Sequence, residues 1–472
     1  VLAESAASAV FSLFSMLLIG RVIGPEATGI GTVALAAFLL VDVLSAALFT
    51  DALVQYRPLA RQHSDSAITA AVLVGLVAGL ALAASAPLLA EGSGLPQVTW
   101  LVLALAPLLP LSAFSGCAAG MLLRAERFRL LSLRVLFCQP LALAAGMAAA
   151  FSDLGPWAMI ANQAVATVAT LLLLLLRGRL SVRPRLNLPA LRQLWPVAGP
   201  QIAAVAVMMG KYRIFLLSLG LVVAESTVAL SHFAFRMLDA VLVMVWASVS
   251  RIALPRLCTL QHDREALAEV YGDMAQLQAL LGLPLAVGIA LTAPDLVSAL
   301  LGPHWAGTAH AAQIAGLAGA VTFIWGDHTS LFVAVGRARL NLHTAVATLL
   351  LPLLALIVLR PSTPSGVAWA WAAQSLLIPP VMFWLVLREL HRSFFWLVRR
   401  VAPAVLATAA MAAAVMLMEA ELRGQPAGLR LVLCAATGAV VYLAVVALAL
   451  GGRMPPALAR RRRSGPIEAA AE

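Results

Sequence analysis

Residues 171–185 read LLLLLLRGRLSVRPR, an unbroken leucine run that ends abruptly in an arginine-rich stretch. The leucines complete an apolar run over 156–176, long enough to cross a hydrocarbon core of roughly 30 Å as a helix. Arginines set immediately after such a run mark the cytoplasmic side of a membrane. Similar runs precede it at 3–20, 29–50, 67–90, 98–121 and 131–151. A second set follows at 194–219, 226–250, 277–301, 309–335, 342–359 and 366–387, and two more close the chain at 401–418 and 431–450. The reading is an all-α integral membrane protein of about fourteen transmembrane helices.

Composition agrees. The 472 residues are 62% hydrophobic and 11% charged, against roughly 45–50% apolar and about 25% charged in an average soluble domain. The net charge of +11 would raise the question of nucleic acid in a soluble chain, but the arginines sit in short loops between apolar runs, with no basic face interleaved with aromatics. No nucleic-acid partner is expected. Cys117, Cys138, Cys258 and Cys434 lie far apart without metal-ligand spacing, and packing is their expected role. The first run lacks a basic region before it and an A-x-A-like site after it, so it reads as a retained helix.

When the loops are numbered alternately, the bases sort. One side holds the clusters around Arg57, Arg124, Arg177, Arg256, Arg337, Arg388, Arg399 and Arg460, whereas the other holds only Arg21, Arg360, Arg423 and Arg430. The crowded side is therefore cytoplasmic, with both ends of the chain on it. Weak internal repetition accompanies the sorting. Thr32-Val33-Ala34-Leu35 recurs as Thr227-Val228-Ala229-Leu230, Gln62-His63 as Gln261-His262, Ala86-Pro87 as Ala293-Pro294 and Arg124-Ala125 as Arg337-Ala338. Each match falls at the equivalent place of a six-helix half, and an even number of helices gives a parallel repeat. The expected organisation is an N-lobe over 1–180, a basic cytoplasmic linker over 181–193, a C-lobe over 194–390, a terminal helix pair over 391–452 and a basic tail over 453–472.

Charges fall within expected spans, among them the six of Lys211, Arg213, Arg236, Asp42, Asp239 and Asp327. Left unpaired at the bilayer centre they would cost about 15–20 kcal/mol together, so they must pair, face water, or both. Glu225, His232, Arg236, Asp239 and Trp246 follow helical spacing along one stripe of the eighth span, which implies an aqueous cavity. Arg236 and Asp239 are spaced for an ion pair. Lys211, the only lysine of the chain, can bind a phosphate or pair with Glu225. Asp42 and Asp327 are candidates for proton or cation coupling, against the alternative of a carboxylate satisfied by a neighbouring hydroxyl or arginine. Trp325, Trp369 and Trp371 suit interfacial anchoring or stacking on a sugar. Between the eighth and ninth spans, Leu257, Leu260, Leu267, Val270 and Tyr271 fall near one face, as in an in-plane amphipathic helix or a solvated helix capping the bundle. Gly75/Gly79 and Gly116/Gly120 have the spacing that permits close helix packing. No nucleophile elbow, zincin motif or Walker A sequence occurs, and the loops are short, so no enzyme is expected.

The segments Gly20-Arg21-Val22-Ile23-Gly24-Pro25-Glu26-Ala27-Thr28-Gly29, Asp51-Ala52-Leu53-Val54-Gln55, Leu123-Arg124-Ala125-Glu126-Arg127-Phe128-Arg129 and Leu301-Gly302-Pro303-His304-Trp305 resemble the bacterial oligosaccharide and polysaccharide flippases. That superfamily also holds multidrug extruders and lipid II flippases. The resemblance implies two six-helix lobes in a V around a cationic central cavity, with one additional helix pair. It implies transport of an undecaprenyl-diphosphate-linked oligosaccharide, an O-antigen or exopolysaccharide repeat unit, across the bacterial inner membrane by alternating access. Arg236, Arg213, Lys211 and Arg21 would hold the diphosphate. Glu225, His232 and Trp246 would line the cavity. A proton or Na⁺ gradient acting through Asp42, Asp239 or Asp327 would drive transport, with no other cofactor. Membrane lipid, a polysaccharide polymerase and glycosyltransferases are the implied partners. The competing readings are a multidrug or cation antiporter of the same fold, and an integral-membrane glycan polymerase or ligase.

Overall fold

The computed structural model describes residues 2–178 and 183–451. The basic tail from 453, linker residues 179–182 and the side chain of Trp246 lie outside the described residues. Every regular element among the described residues is helical. The chain forms two compact units, Val1–His232 and Phe233–Glu472. The first holds α1 (Leu2–Ala47), α2 (Thr50–Gln55), α3 (Arg61–Ser93), α4 (Gln97–Leu105), α5 (Leu108–Arg124), α6 (Phe128–Leu133), α7 (Gln139–Phe151), α8 (Trp157–Gly178) and α9 (Leu188–Gly220). The division falls inside α10 (Glu225–Thr259), whereas the repeat in the sequence places the lobe boundary in the linker. The second unit continues with α11 (Arg264–Leu300), α12 (Gly307–Thr322), α13 (His328–Ala334), α14 (Arg339–Leu359), α15 (Pro364–Leu390), α16 (Phe394–Glu421) and α17 (Ala427–Ala449).

Among the described residues, eleven helical stretches are long and apolar enough to cross a membrane, and the chain is a multi-pass integral membrane protein. The expectation of about fourteen spans is consistent with them. The first two expected spans run together as α1, which has no loop at 21–28 and only a kink at Gly24 (φ 80°, ψ 171°). Glycine tolerates that left-handed φ, and Pro25 behind it removes a helical donor. The expected tenth span over 309–335 is corrected to a broken helix. It stops at Thr322 and restarts at His328, with Gly326 at φ 78° between.

The amphipathic segment expected between the eighth and ninth spans is also corrected. Asp263 caps α11 by accepting from the Glu265 and Ala266 amides at 3.1 and 3.0 Å. The helix then runs unbroken to Leu300, so Leu267, Val270 and Tyr271 form the buried opening turns of a transmembrane helix. An Asp at the N-cap followed by helix formers is a start signal, and here it starts the ninth span more than three turns early.

In the first unit, both glycine pairs sit at close backbone crossings. A methyl group added at Gly75 or Gly79 would strike the Ala106–Pro110 backbone, and one at Gly116 or Gly120 would strike the carbonyls of Ala46 or Thr50. Arg124 of α5 donates to the carbonyls of Leu53, Val54 and Tyr56 at 3.0, 3.2 and 2.7 Å, closing the end of α2. Arg127 donates to the last carbonyl of α8, Gly178, at 3.2 Å. Terminal carbonyls of a helix have no intrahelical donor, and a guanidinium satisfies them while complementing the helix dipole. The extended linker is held in a similar way. The amides of Arg183, Arg185 and Asn187 donate to side-chain oxygens of Asp65, Thr69 and Ser66 on the opening turns of α3. Gln193 joins this end through His63 (2.7 Å) and Tyr56 (3.1 Å).

In the second unit, α16 and α17 are fastened along α11. Near one end Arg400 pairs with Glu269 and donates to Asp273 at 2.8 Å. Near the other Arg430 donates to Asp295 through Nε at 3.0 Å and pairs with it through Nη2. At 1.5 Å per residue the two aspartates are about 33 Å apart along the helix, close to the thickness of a hydrocarbon core. Midway between them Pro284 lacks the amide that would bond the carbonyl of Leu280. Tyr442 of α17 donates its hydroxyl to that carbonyl at 2.7 Å.

Two outcomes follow for purified protein in detergent. Tyr442→Phe should cost about 1 kcal/mol in denaturant titration, and the cost should fall towards zero in a Pro284→Ala background, where an amide returns to Leu280. Equal cost in both backgrounds would contradict this role. Arg430→Ala strands Asp295, which is 4% exposed, and should destabilise by about 3–5 kcal/mol. Asp295→Asn combined with Arg430→Gln should recover part of that loss.

Candidate functional site

The second half of α1 lies against α9. Gly220 faces Val33 so closely that a methyl group would collide, and Gly210 faces Leu40. This packing sets the Arg213 guanidinium within electrostatic reach of Asp42, and Ser112 of α5 lies close to the same carboxylate. Asp42 Oδ1 is buried and has no hydrogen-bond partner among the described residues. Next to Arg213, Tyr212 meets His232 of α10 through a 2.6 Å Oη to Nδ1 hydrogen bond, with the two rings stacked at 5.8 Å. Lys211 and Arg213 are both half-buried, and His232 is 7% exposed. Glu225, in the first turn of α10, is half-buried with its backbone against Gly29. Arg21 is exposed on α1 ahead of the Gly24 kink. The first unit therefore brings Asp42 to Arg213 and places His232 one hydrogen bond from α9.

In the second unit Arg236 and Asp239 form a long ion pair of 4.0 Å on α10, with side chains 28% and 31% exposed. Partial exposure and that separation leave much of the guanidinium's hydrogen-bonding capacity for another anion. The backbone around the pair is fixed by aromatic contacts, Phe233 on Trp305 at 4.3 Å and Phe235 on Trp371 at 5.5 Å. Trp325 packs on Phe383 at 4.8 Å, while Trp369 is exposed.

Asp327 occupies the break between α12 and α13. It caps α13, accepting from the Ser330 amide at 3.2 Å and the Ser330 hydroxyl at 2.5 Å. The break is held from α11, where Tyr271 donates to the Trp325 carbonyl at 2.7 Å and Gln278 to the Thr322 carbonyl at 3.3 Å. Irregular backbone at membrane depth needs such protein donors.

Three buried carboxylates escaped the sequence reading: Asp65, Asp273 and Asp295. Asp65 and Asp273 lie at the openings of long helices, where a charge looks like an ordinary loop residue. Asp295 had a usable signal, because it lies inside the span expected over 277–301. Its partner Arg430 is one of the few bases on the sparsely basic side.

The family described as polysaccharide biosynthesis protein matches residues 18–310. Two similar curated proteins are the teichuronic acid biosynthesis protein TuaB of Bacillus subtilis (strain 168) and the succinoglycan biosynthesis transport protein ExoT of Rhizobium meliloti (strain 1021). TuaB is 22% identical over 49% of this chain and 48% of its own length. ExoT is 24% identical over 61% of this chain and 58% of its own length. The chain thus spans about half the length of the curated relatives it matches. Among solved structures, the lipid II flippase MurJ in an inward closed conformation gives a TM-score of 0.76 at 12% identity. That match covers 96% of this chain and 99% of MurJ. An inward-facing MATE multidrug transporter gives 0.65 at 16% identity over 81% of this chain and 94% of its own. The fold is the one these transporters share, and with more than half of its length matched, the chain belongs to the polysaccharide biosynthesis protein family.

Proposed function

We propose that the protein is a carrier, not an enzyme, that moves an undecaprenyl-diphosphate-linked oligosaccharide across the bacterial inner membrane. The observation that carries this reading is the sign of the charge held in its apolar helices. Lys211 and Arg213 on α9 and Arg236 on α10 are half-buried bases. A diphosphate is the anion that such donors suit, since guanidinium bonds to phosphate oxygens strengthen when water is excluded. The family match, the MurJ-like fold and the names of the two curated relatives support a lipid-linked glycan as the cargo. The lipid tail stays in the bilayer while the head and sugars cross, as the bases are exposed alternately to the two sides.

Both ends of the chain face the cytoplasm in this reading, since basic loops are retained there. Arg21 is a further donor to the head. Coupling to a proton or Na⁺ gradient falls to Asp42, Asp239 or Asp327. Asp42 is favoured because it has a buried oxygen without a partner among the described residues, whereas Asp327 is engaged by Ser330. A polymerase and glycosyltransferases would work on either side of the transport step.

Arg236→Ala should abolish surface display of the glycan in cells while the protein reaches the membrane at normal level, as read by lectin or antibody labelling beside an immunoblot of membranes. Normal display would remove Arg236 from the reading. The MATE likeness keeps a drug antiporter of the same fold as the second reading, although bases repel cationic drugs. Overexpression should leave resistance to cationic dyes unchanged, and a rise of about fourfold or more in inhibitory concentration would favour the antiporter. For coupling, Asp42→Asn should make uptake of lipid-linked substrate into proteoliposomes insensitive to an imposed ion gradient. Undiminished gradient dependence would exclude Asp42.

A further inference from the structure

Between residues 364 and 421 there are four arginines, at 388, 392, 399 and 400. They divide by partner. Arg392 lies 3.5 Å from Glu265 and 3.9 Å from Glu269, and Arg400 pairs with Glu269 and Asp273. Arg388 and Arg399 are exposed and have no carboxylate partner among the described residues. The nearest acid in sequence, Glu389, is taken by Arg337 at 3.0 Å.

The two arginines also share a setting. On α15, Leu377, Val381 and Trp384 are 57%, 54% and 58% exposed and recur at helical spacing to form one outward stripe that ends at Arg388. The Arg388 guanidinium lies 5.8 Å from the centre of the Trp384 ring. On α16, Phe395 and Leu406 are 71% and 64% exposed, and Arg399 lies on their stripe, one turn beyond Phe395. Arg400 is turned about 100° away, towards α11. Both stripes are apolar surfaces of membrane-spanning helices, and both carry their arginine near the turn at 391–393 that joins α15 to α16.

We propose that this corner binds the headgroup of an acidic phospholipid, with Arg388 and Arg399 on the phosphate and the acyl chains along the two stripes. A soluble anion would gain nothing from Leu377, Val381 or Phe395. A lipid uses all of them, and the tryptophan under Arg388 suits the headgroup level where such rings collect. Attraction of an interfacial arginine to anionic lipid corresponds to about fivefold in partitioning per residue. The inference needs only that these helices span a membrane and is independent of what the protein carries.

The test is native mass spectrometry of the delipidated full chain, titrated in separate series with phosphatidylglycerol and with phosphatidylcholine. The wild type should retain phosphatidylglycerol more tightly. R388Q/R399Q should weaken it by at least about fivefold while phosphatidylcholine retention stays unchanged, which also reports an intact fold. R423Q, an exposed arginine past the other end of α16, should have no effect. The single variants R388Q and R399Q, each expected to lose part of the affinity, serve if the double variant is not recovered. Unchanged phosphatidylglycerol binding in these variants, an equal loss in R423Q, or displacement by glycerol 3-phosphate would each overturn the proposal.

Discussion

A bilayer core offers no hydrogen bonds, so every polar group that enters it must find its partner within the protein. This constraint explains most of the specific contacts in the chain. Where helices end, arginines close them, as Arg124 does for α2 and Arg127 for α8. Where a helix breaks, α11 supplies Tyr271 and Gln278 to the loose carbonyls. Where an aspartate is buried, an arginine from a distant part of the chain meets it.

The same constraint divides the charges into two kinds. Asp65, Asp273 and Asp295 are deeply buried and fully engaged in holding linker or helices together. Arg236 and Asp239 sit at the edge of contact with partial exposure, and Asp42 keeps an oxygen without a partner among the described residues. Groups of the second kind can change partner without unfolding anything. The placement of Asp42 on α1 is helped by a small residue, since glycine at 220 lets α9 approach Val33 of the same helix.

The membrane class and the apolar runs were legible because hydrophobic length acts locally, residue by residue. The joins were harder. Whether Gly24-Pro25 makes a loop or a kink depends on what packs against it, and periodicity cannot distinguish the two. Trp325-Gly326-Asp327 looks apolar enough to continue a helix, and the donors that make a break tolerable lie about fifty residues earlier on α11. Leu257 to Tyr271 has an amphipathic pattern by itself, but Arg400 of α16 takes up Glu269 within it. Among the site residues, the pairing of Arg236 with Asp239 was readable from their spacing. The meeting of Asp42 with Arg213, far apart in sequence, was not.

The hydroxyl of Tyr442 has a further meaning. A side chain from the terminal helix pair completes a main-chain bond that Pro284 leaves open on α11, so α17 acts there as a detached piece of its neighbour's backbone. The terminal pair is then no optional annex to the second unit. A lobe lacking α17 would have to place an ordinary residue at 284 or leave the Leu280 carbonyl facing oil, so the proline and the tyrosine form one inseparable unit.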